Sequence, residues 1–139
     1  MSNLLVDSGP LVALLHKDAQ DHALCVDVLK RLREPLLTTR MPVTEAMYLL
    51  GFSVEGRCAL LKMIERGMLQ VLSLDIDDLP SIRKLMQQYS DLPMDFADAT
   101  LVQVAKRHDI HQVFTLDRRY FAGYRLRRGK AFTIIPGAT

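Results

Sequence analysis

The stretch Asn3-Leu4-Leu5-Val6-Asp7-Ser8-Gly9-Pro10 joins a short apolar run to an acid and then to a turn. A bounded run of this kind reads as a strand buried on both faces, and the pattern at 11–15 then opens a helix. Asp7 therefore falls at the carboxyl end of a strand, the edge of an open parallel sheet where ligand sites gather. Taken alone, Asp7 or Ser8 reads as the cap of the helix that follows.

The strand-then-helix unit recurs along the chain. A helix is expected over 18–33, with Ala23, Val26, Leu29 and Leu32 inward, followed by a strand over 35–39. The next helix, 41–50, can be started by Pro42 and ended by Gly51. Another runs over 54–66 with Cys58, Leu61 and Ile64 inward, closed by Gly67, and a strand follows at 68–74. Acids at 75–78 before Pro80 are capping candidates for a helix reaching 89, in which Ile82, Leu85 and Met86 face inward. A helix ending near 107 and strands at 111–117 and 131–135 complete the pattern. Strands alternating with helices define an α/β chain with a parallel sheet covered by helices on both faces.

With 139 residues, 49% hydrophobic and 24% charged, the chain fits one globular domain spanning 1–139. It contains no uninterrupted apolar run of membrane-spanning length and no basic leader before a cleavable apolar region, so a cytoplasmic protein with no membrane partner is expected. Cys25 and Cys58 lack metal or redox spacing and read as buried or half-buried thiols. The net charge of +2 is too small to imply nucleic acid by itself, but it is unevenly placed. Arg118, Arg119, Arg125, Arg127, Arg128 and Lys130 follow Asp117 without a further acid, interleaved with Tyr120, Phe121 and Tyr124, which suits contact with a polyanion.

Two acids sit where apolar residues are expected. Asp98 shares a helical face with Leu101, Val102 and Ala105, and a buried carboxylate requires a cation, donors or a raised pKa. Glu45 shares a face with Met41, Leu49 and Tyr48, although a first-turn acid also suits the helix dipole. Asp95 reads either as a helix cap or as a metal-site acid. Asp7 and Asp117 both end strands. Four carboxylates, Asp7, Glu45, Asp98 and Asp117, thus converge on one sheet edge without a matching lysine. All-oxygen donors repelling one another suit a hard cation such as Mg²⁺ or Mn²⁺, and the chemistry that follows is metal-assisted hydrolysis of a phosphodiester.

The motifs Leu5-Val6-Asp7-Ser8-Gly9-Pro10-Leu11, Thr44-Glu45, Asp95-Phe96-Ala97-Asp98-Ala99 and Phe114-Thr115-Leu116-Asp117-Arg118-Arg119-Tyr120-Phe121, in this order and spacing, resemble those of the PIN domains. Within that family they are similar to the VapC-like toxin ribonucleases of toxin–antitoxin pairs. The resemblance implies a three-layer α/β/α sandwich with a central parallel sheet. It implies that Asp7, Glu45, Asp98 and Asp117 are the metal-site acids, with Asp95 auxiliary and Ser8 and Thr115 supporting them by hydrogen bonds. It further implies Mg²⁺ or Mn²⁺, an RNA substrate, a homodimer and a small antitoxin partner. Two other readings stand beside it. One is an RNA- or partner-binding module without turnover. The other is a phosphohydrolase with Asp7 as nucleophile, which the glycine at position 9, where those enzymes place a second aspartate, disfavours.

Overall fold

The computed structural model describes residues 3–137. Five short parallel strands, β1 (Leu4–Val6), β2 (Leu36–Thr38), β3 (Leu69–Val71), β4 (Gln112–Phe114) and β5 (Thr133–Ile135), form one sheet in the order β3-β2-β1-β4-β5. Among the described residues seven α-helices connect them: α1 (Ser8–Leu15), α2 (His22–Arg31), α3 (Arg40–Leu49), α4 (Val54–Glu65), α5 (Leu79–Gln88), α6 (Phe96–His108) and α7 (Arg118–Gly123).

Alternation along the strands divides the apolar residues between two cores, because successive side chains point to opposite faces. Leu4, Val6, Leu36 and Phe114 pack on one face with Leu11, Cys25, Ala46 and Leu60. Leu5, Leu37 and Val113 pack on the other with Leu85, Leu101, Val102, Phe121 and Tyr124. The result is the expected three-layer α/β/α sandwich. From β1 the chain moves outward to β2 and β3, then returns to the other side of β1 to lay down β4 and β5. The order reverses between β1 and β4, so a crevice forms beyond their carboxyl ends.

Several local expectations change. Asp7 caps α1 directly, so the expected turn at 7–10 is already helical. The helix expected over 18–33 is shorter; Val26, Leu29 and Leu32 pack partly buried against the core as expected, but the buried residues are Cys25 and Val28, and Ala23 is exposed. In α4 the inward residues are Gly56, Leu60 and Met63, while Leu61 and Cys58 are exposed, a phase shift of one residue. Such a helix carries apolar residues on more than one side, which leaves its phase ambiguous from sequence. Similarly, α3 buries Pro42, Ala46 and Leu50, leaving Tyr48 and Leu49 exposed, so Glu45 does not sit on a buried stripe. Met86 is partly exposed in α5. The strand expected over 68–74 pairs only through Val71, because β2 ends at Thr38; Leu72 still donates its N–H to the Thr38 carbonyl at 2.7 Å.

Candidate active site

The crevice is built from the first residues beyond β1 and β4 and from the helices entering beside them. Asp7 leaves β1 in extended conformation, held by its N–H to the Phe114 carbonyl at 3.0 Å, and turns its carboxylate into the start of α1. Its Oδ1 accepts from the Ser8 N–H at 2.8 Å and its Oδ2 from the Thr115 hydroxyl at 3.2 Å. Thr115 is fully buried, and its Oγ1 also accepts from the Asp117 N–H at 2.9 Å. One hydroxyl thereby fixes two acids from two different chain segments. The Ser8 hydroxyl donates to Glu45 Oε1 at 2.5 Å, tying α1 to α3.

From the opposite side, Asp95 caps α6 by accepting from the Asp98 N–H at 2.8 Å, so the capping reading and a place in the pocket hold together. Asp98, one turn into α6, is only 6% exposed, and Leu101, Val102 and Ala105 below it are buried. The start of α6 is pinned to the end of β2 through Thr39 and Thr100, whose hydroxyls lie 2.8 Å apart. Asp7, Ser8, Gly9, Glu45, Asp95, Asp98, Leu116 and Asp117 line one pocket of about 330 Å³. No basic side chain lines it. All five carboxylates singled out in the sequence are brought to it.

The electrostatics follow from burial and like charge. Asp98 is raised from 3.8 to about 7, first by burial and then by the charges of Asp95 and Asp7, against a hydrogen bond from Tyr124 that favours the ionised form. Asp7 is raised to about 6, again first by burial, with Glu45 and Asp95 adding repulsion and the bonds from Ser8 and Thr115 opposing it. Asp117 is also raised by burial, offset in part by Arg119. Among the described residues, no three of these side chains stand together at metal-ligand spacing. The chemistry of the donors nevertheless fits a divalent cation: they are oxygen only, mutually repelling and without a protein cation among the pocket's lining residues. Asp7, Glu45, Asp98 and Asp117 would hold it.

Tyr124 is the site residue that sequence reading missed. Its hydroxyl donates to Asp98 Oδ2 at 2.9 Å, and its ring is fully buried, edge-on to Tyr89 and Phe121. The aromatics Phe121 and Tyr124 therefore belong to the core and are not free to stack on a polyanion. Tyr120 is half-buried and carries Arg119 over its ring. Among the basic residues, Arg118 donates to the Pro136 carbonyl and Arg125 to the carbonyls of Ala122 and Tyr124, while Arg119, Arg127, Arg128 and Lys130 are exposed.

An acid-lined crevice at the reversal point of a five-stranded parallel sheet defines a class of α/β protein, and the chain belongs to the PIN domain family, whose model matches residues 4–125. It is similar to ribonuclease VapC26 of Mycobacterium tuberculosis strain H37Rv, with 26% identity over 135 residues covering 96% of this chain and 100% of the relative. Its fold is similar to the crystal structure of M. tuberculosis VapC20, described as a sarcin-ricin loop cleaving toxin, with a TM-score of 0.77 at 15% identity. That match covers 85% of this chain and 92% of the other. At that identity the likeness concerns the fold.

Proposed function

We propose that the chain is a metal-dependent endoribonuclease of the VapC-like toxin type, acting as a single nuclease domain over 1–139. The observation that carries this reading is the convergence of Asp7, Glu45, Asp95, Asp98 and Asp117 on one pocket without a protein cation lining it. Membership of the PIN domain family and similarity to ribonuclease VapC26 support it.

A Mg²⁺ or Mn²⁺ ion bound there supplies charge to polarise the phosphate and lower the pKa of a water. The chain's own residues do the rest. Asp7, Glu45, Asp98 and Asp117 provide the anionic cradle, and Asp95 holds the first turn of α6 that presents Asp98. Thr115 fixes Asp7 relative to the Asp117 backbone, and Ser8 orients Glu45. Exposed Arg119, Arg127, Arg128 and Lys130, with Arg118 and Arg125 anchoring the segment between them, present positive charge to the phosphate backbone of the RNA. A homodimer, a small antitoxin partner and a cytoplasmic location complete the proposal. Among the described residues no helix is long and apolar enough to cross a membrane.

The aspartate-nucleophile reading fares poorly on geometry, since both oxygens of Asp7 already accept hydrogen bonds and the pocket offers no lysine. Purified protein incubated with RNA and with a phosphate monoester tests the choice. Cutting of RNA with Mn²⁺, abolished by EDTA, and no release of phosphate from the monoester are expected. RNA held but never cut at any metal concentration would favour a binding module instead.

A further inference from the structure

A second pocket lies away from the acids, between α5 and α6. Its volume is about 480 Å³, and its lining includes Lys84 of α5, Gln103, Lys106 and Arg107 of α6, and Arg127. No carboxylate lines it. The buried acid Asp78 is bonded to two of the lining residues, accepting from Arg107 Nη1 at 2.6 Å and from Gln103 Nε2 at 3.0 Å. Arg107 is therefore neutralised and held in place, its Nη2 reaching the Ser73 carbonyl. Lys84 and Lys106 have no carboxylate partner among the described residues, and Arg127 acts only at a distance on exposed Asp109. Uncompensated cations around one concavity raise its positive potential and favour an anion there.

The position of this cleft relative to the acids is set by α6 itself. Asp98 lines the acidic pocket and Lys106 the basic one, eight residues apart, or about 12 Å at roughly 1.5 Å per residue. That span matches roughly three or four stacked nucleotides at about 3.4 Å each. The segment from Asp117 to Arg127 joins the same two places, with Asp117 in the first pocket and Arg127 in the second. Two bonds lock its course: Tyr124 to Asp98, and the Arg125 N–H to the Tyr89 hydroxyl just beyond α5, at 2.9 Å. Exposed Phe96, at the start of α6, and Arg107 are separated by three turns on one side of the helix.

We propose that the α5–α6 cleft seats phosphodiester groups of the same RNA strand whose scissile bond lies in the acidic pocket, with Lys84, Lys106 and Arg127 as the cations that meet its phosphates. This rests on the ribonuclease reading. It adds three cationic side chains at a fixed distance from the cut, so strands too short to span both pockets are held less well.

The test uses the full chain and a single-stranded RNA of about 20 nucleotides, with affinity followed by fluorescence anisotropy in EDTA across a salt series. Lys84→Gln/Lys106→Gln is expected to bind roughly ten-fold more weakly at moderate salt, with the slope of log K against log salt reduced by about 1.4, or roughly 0.7 for each lysine charge removed from a phosphate. With Mn²⁺ the same variant shows its loss in KM. Lys62→Gln, at an exposed position of α4, serves as the control for general surface charge. Unchanged affinity and slope in the double variant, or an equal loss in Lys62→Gln, would overturn the proposal. Failure here is separable from failure of the ribonuclease reading, which is judged by whether Asp98→Asn, tested with Mn²⁺, stops cleavage.

Discussion

Replacing Asp98 by Asn should stabilise the metal-free protein at alkaline pH. Asp98 is raised from 3.8 to about 7, roughly three units, and each unit corresponds to about 1.4 kcal/mol between protonation states. The folded state thus prefers the protonated acid by up to about 4 kcal/mol. Its contribution to stability is fully present below the unfolded value of about 3.8 and falls away as pH rises toward 7. Asn is neutral throughout, keeps the carboxamide oxygen that can accept from the Tyr124 hydroxyl, and is nearly isosteric. Allowing half of the ceiling for relaxation of the pocket, the variant gains about 2 kcal/mol at pH 8, or roughly 6–8 °C in Tm for a chain of this size. At pH 4 the two proteins should melt within a degree or so of each other. Thermal unfolding in EDTA, followed by circular dichroism at half-unit steps from pH 4 to 8, measures the difference. A gap that stays constant over this range, or that shrinks as pH rises, would refute the claim that burial and neighbouring carboxylates hold Asp98 in a destabilised ionised form.

Other expectations follow from single hydrogen bonds. Tyr124→Phe removes only the hydroxyl that meets Asp98, leaving the ring packing intact, and should cost about 1 kcal/mol of stability in urea titrations. With Mn²⁺ its cleavage rate should fall well beyond what that loss explains, because Asp98 Oδ2 loses the hydroxyl that holds it in place. Thr115→Val unlinks Asp7 from the Asp117 N–H and leaves that donor unsatisfied at the pocket, costing about 1–3 kcal/mol in the same titration. Arg107→Ala removes the guanidinium paired with the buried carboxylate of Asp78, leaving it the neutral donors Asp75 N–H and Gln103, and should destabilise the fold by about 2–3 kcal/mol near pH 7. Since Asp78 is held below the usual carboxylate range, by the Asp75 N–H first and then by Gln103 and Arg107, the stability it confers is present above about pH 4 and is lost as pH falls through its lowered value. The Arg107→Ala deficit should therefore narrow toward pH 3, as read from urea midpoints.

The layers of the fold were legible because short strands buried on both faces leave near-continuous apolar runs, as at Leu4-Leu5-Val6 and Val113-Phe114. The places of Asp7 and Asp98 were legible for a related reason: a carboxylate in or beside such a run is costly and stands out. What escaped was the phase of helices with apolar residues all round. Leu61 and Cys58 looked as well suited to the core as Leu60 and Met63, and only the tertiary partners of α4 choose between them. Glu45 reached the pocket for a reason different from the one its pattern suggested. It accepts from the Ser8 hydroxyl at the start of α1 and does not sit on an apolar stripe. Tyr124 was hidden by its neighbours, since an aromatic among arginines reads as a nucleic-acid contact. Its burial depends on α7, a short helix in a charged segment that carries little periodic signal. The α5–α6 cleft was illegible in principle, because Lys84, Lys106 and Arg127 are brought together only by the packing of distant segments.

On the proposed reading Asp7, Glu45, Asp98 and Asp117 at the β1–β4 crevice hold a divalent cation used to cut RNA, with Asp95 steadying the turn that presents Asp98. The most direct test of that reading is the single-turnover cleavage rate of a labelled RNA, measured against Mn²⁺ concentration for wild type, Asp7→Asn and Asp98→Asn. Wild type should show a rate that rises from zero and saturates with Mn²⁺, while both variants remain at least about a thousand-fold slower at every concentration, a loss of roughly 4 kcal/mol in transition-state stabilisation. Variants that cut at the wild-type rate with the same half-saturating Mn²⁺ would contradict it.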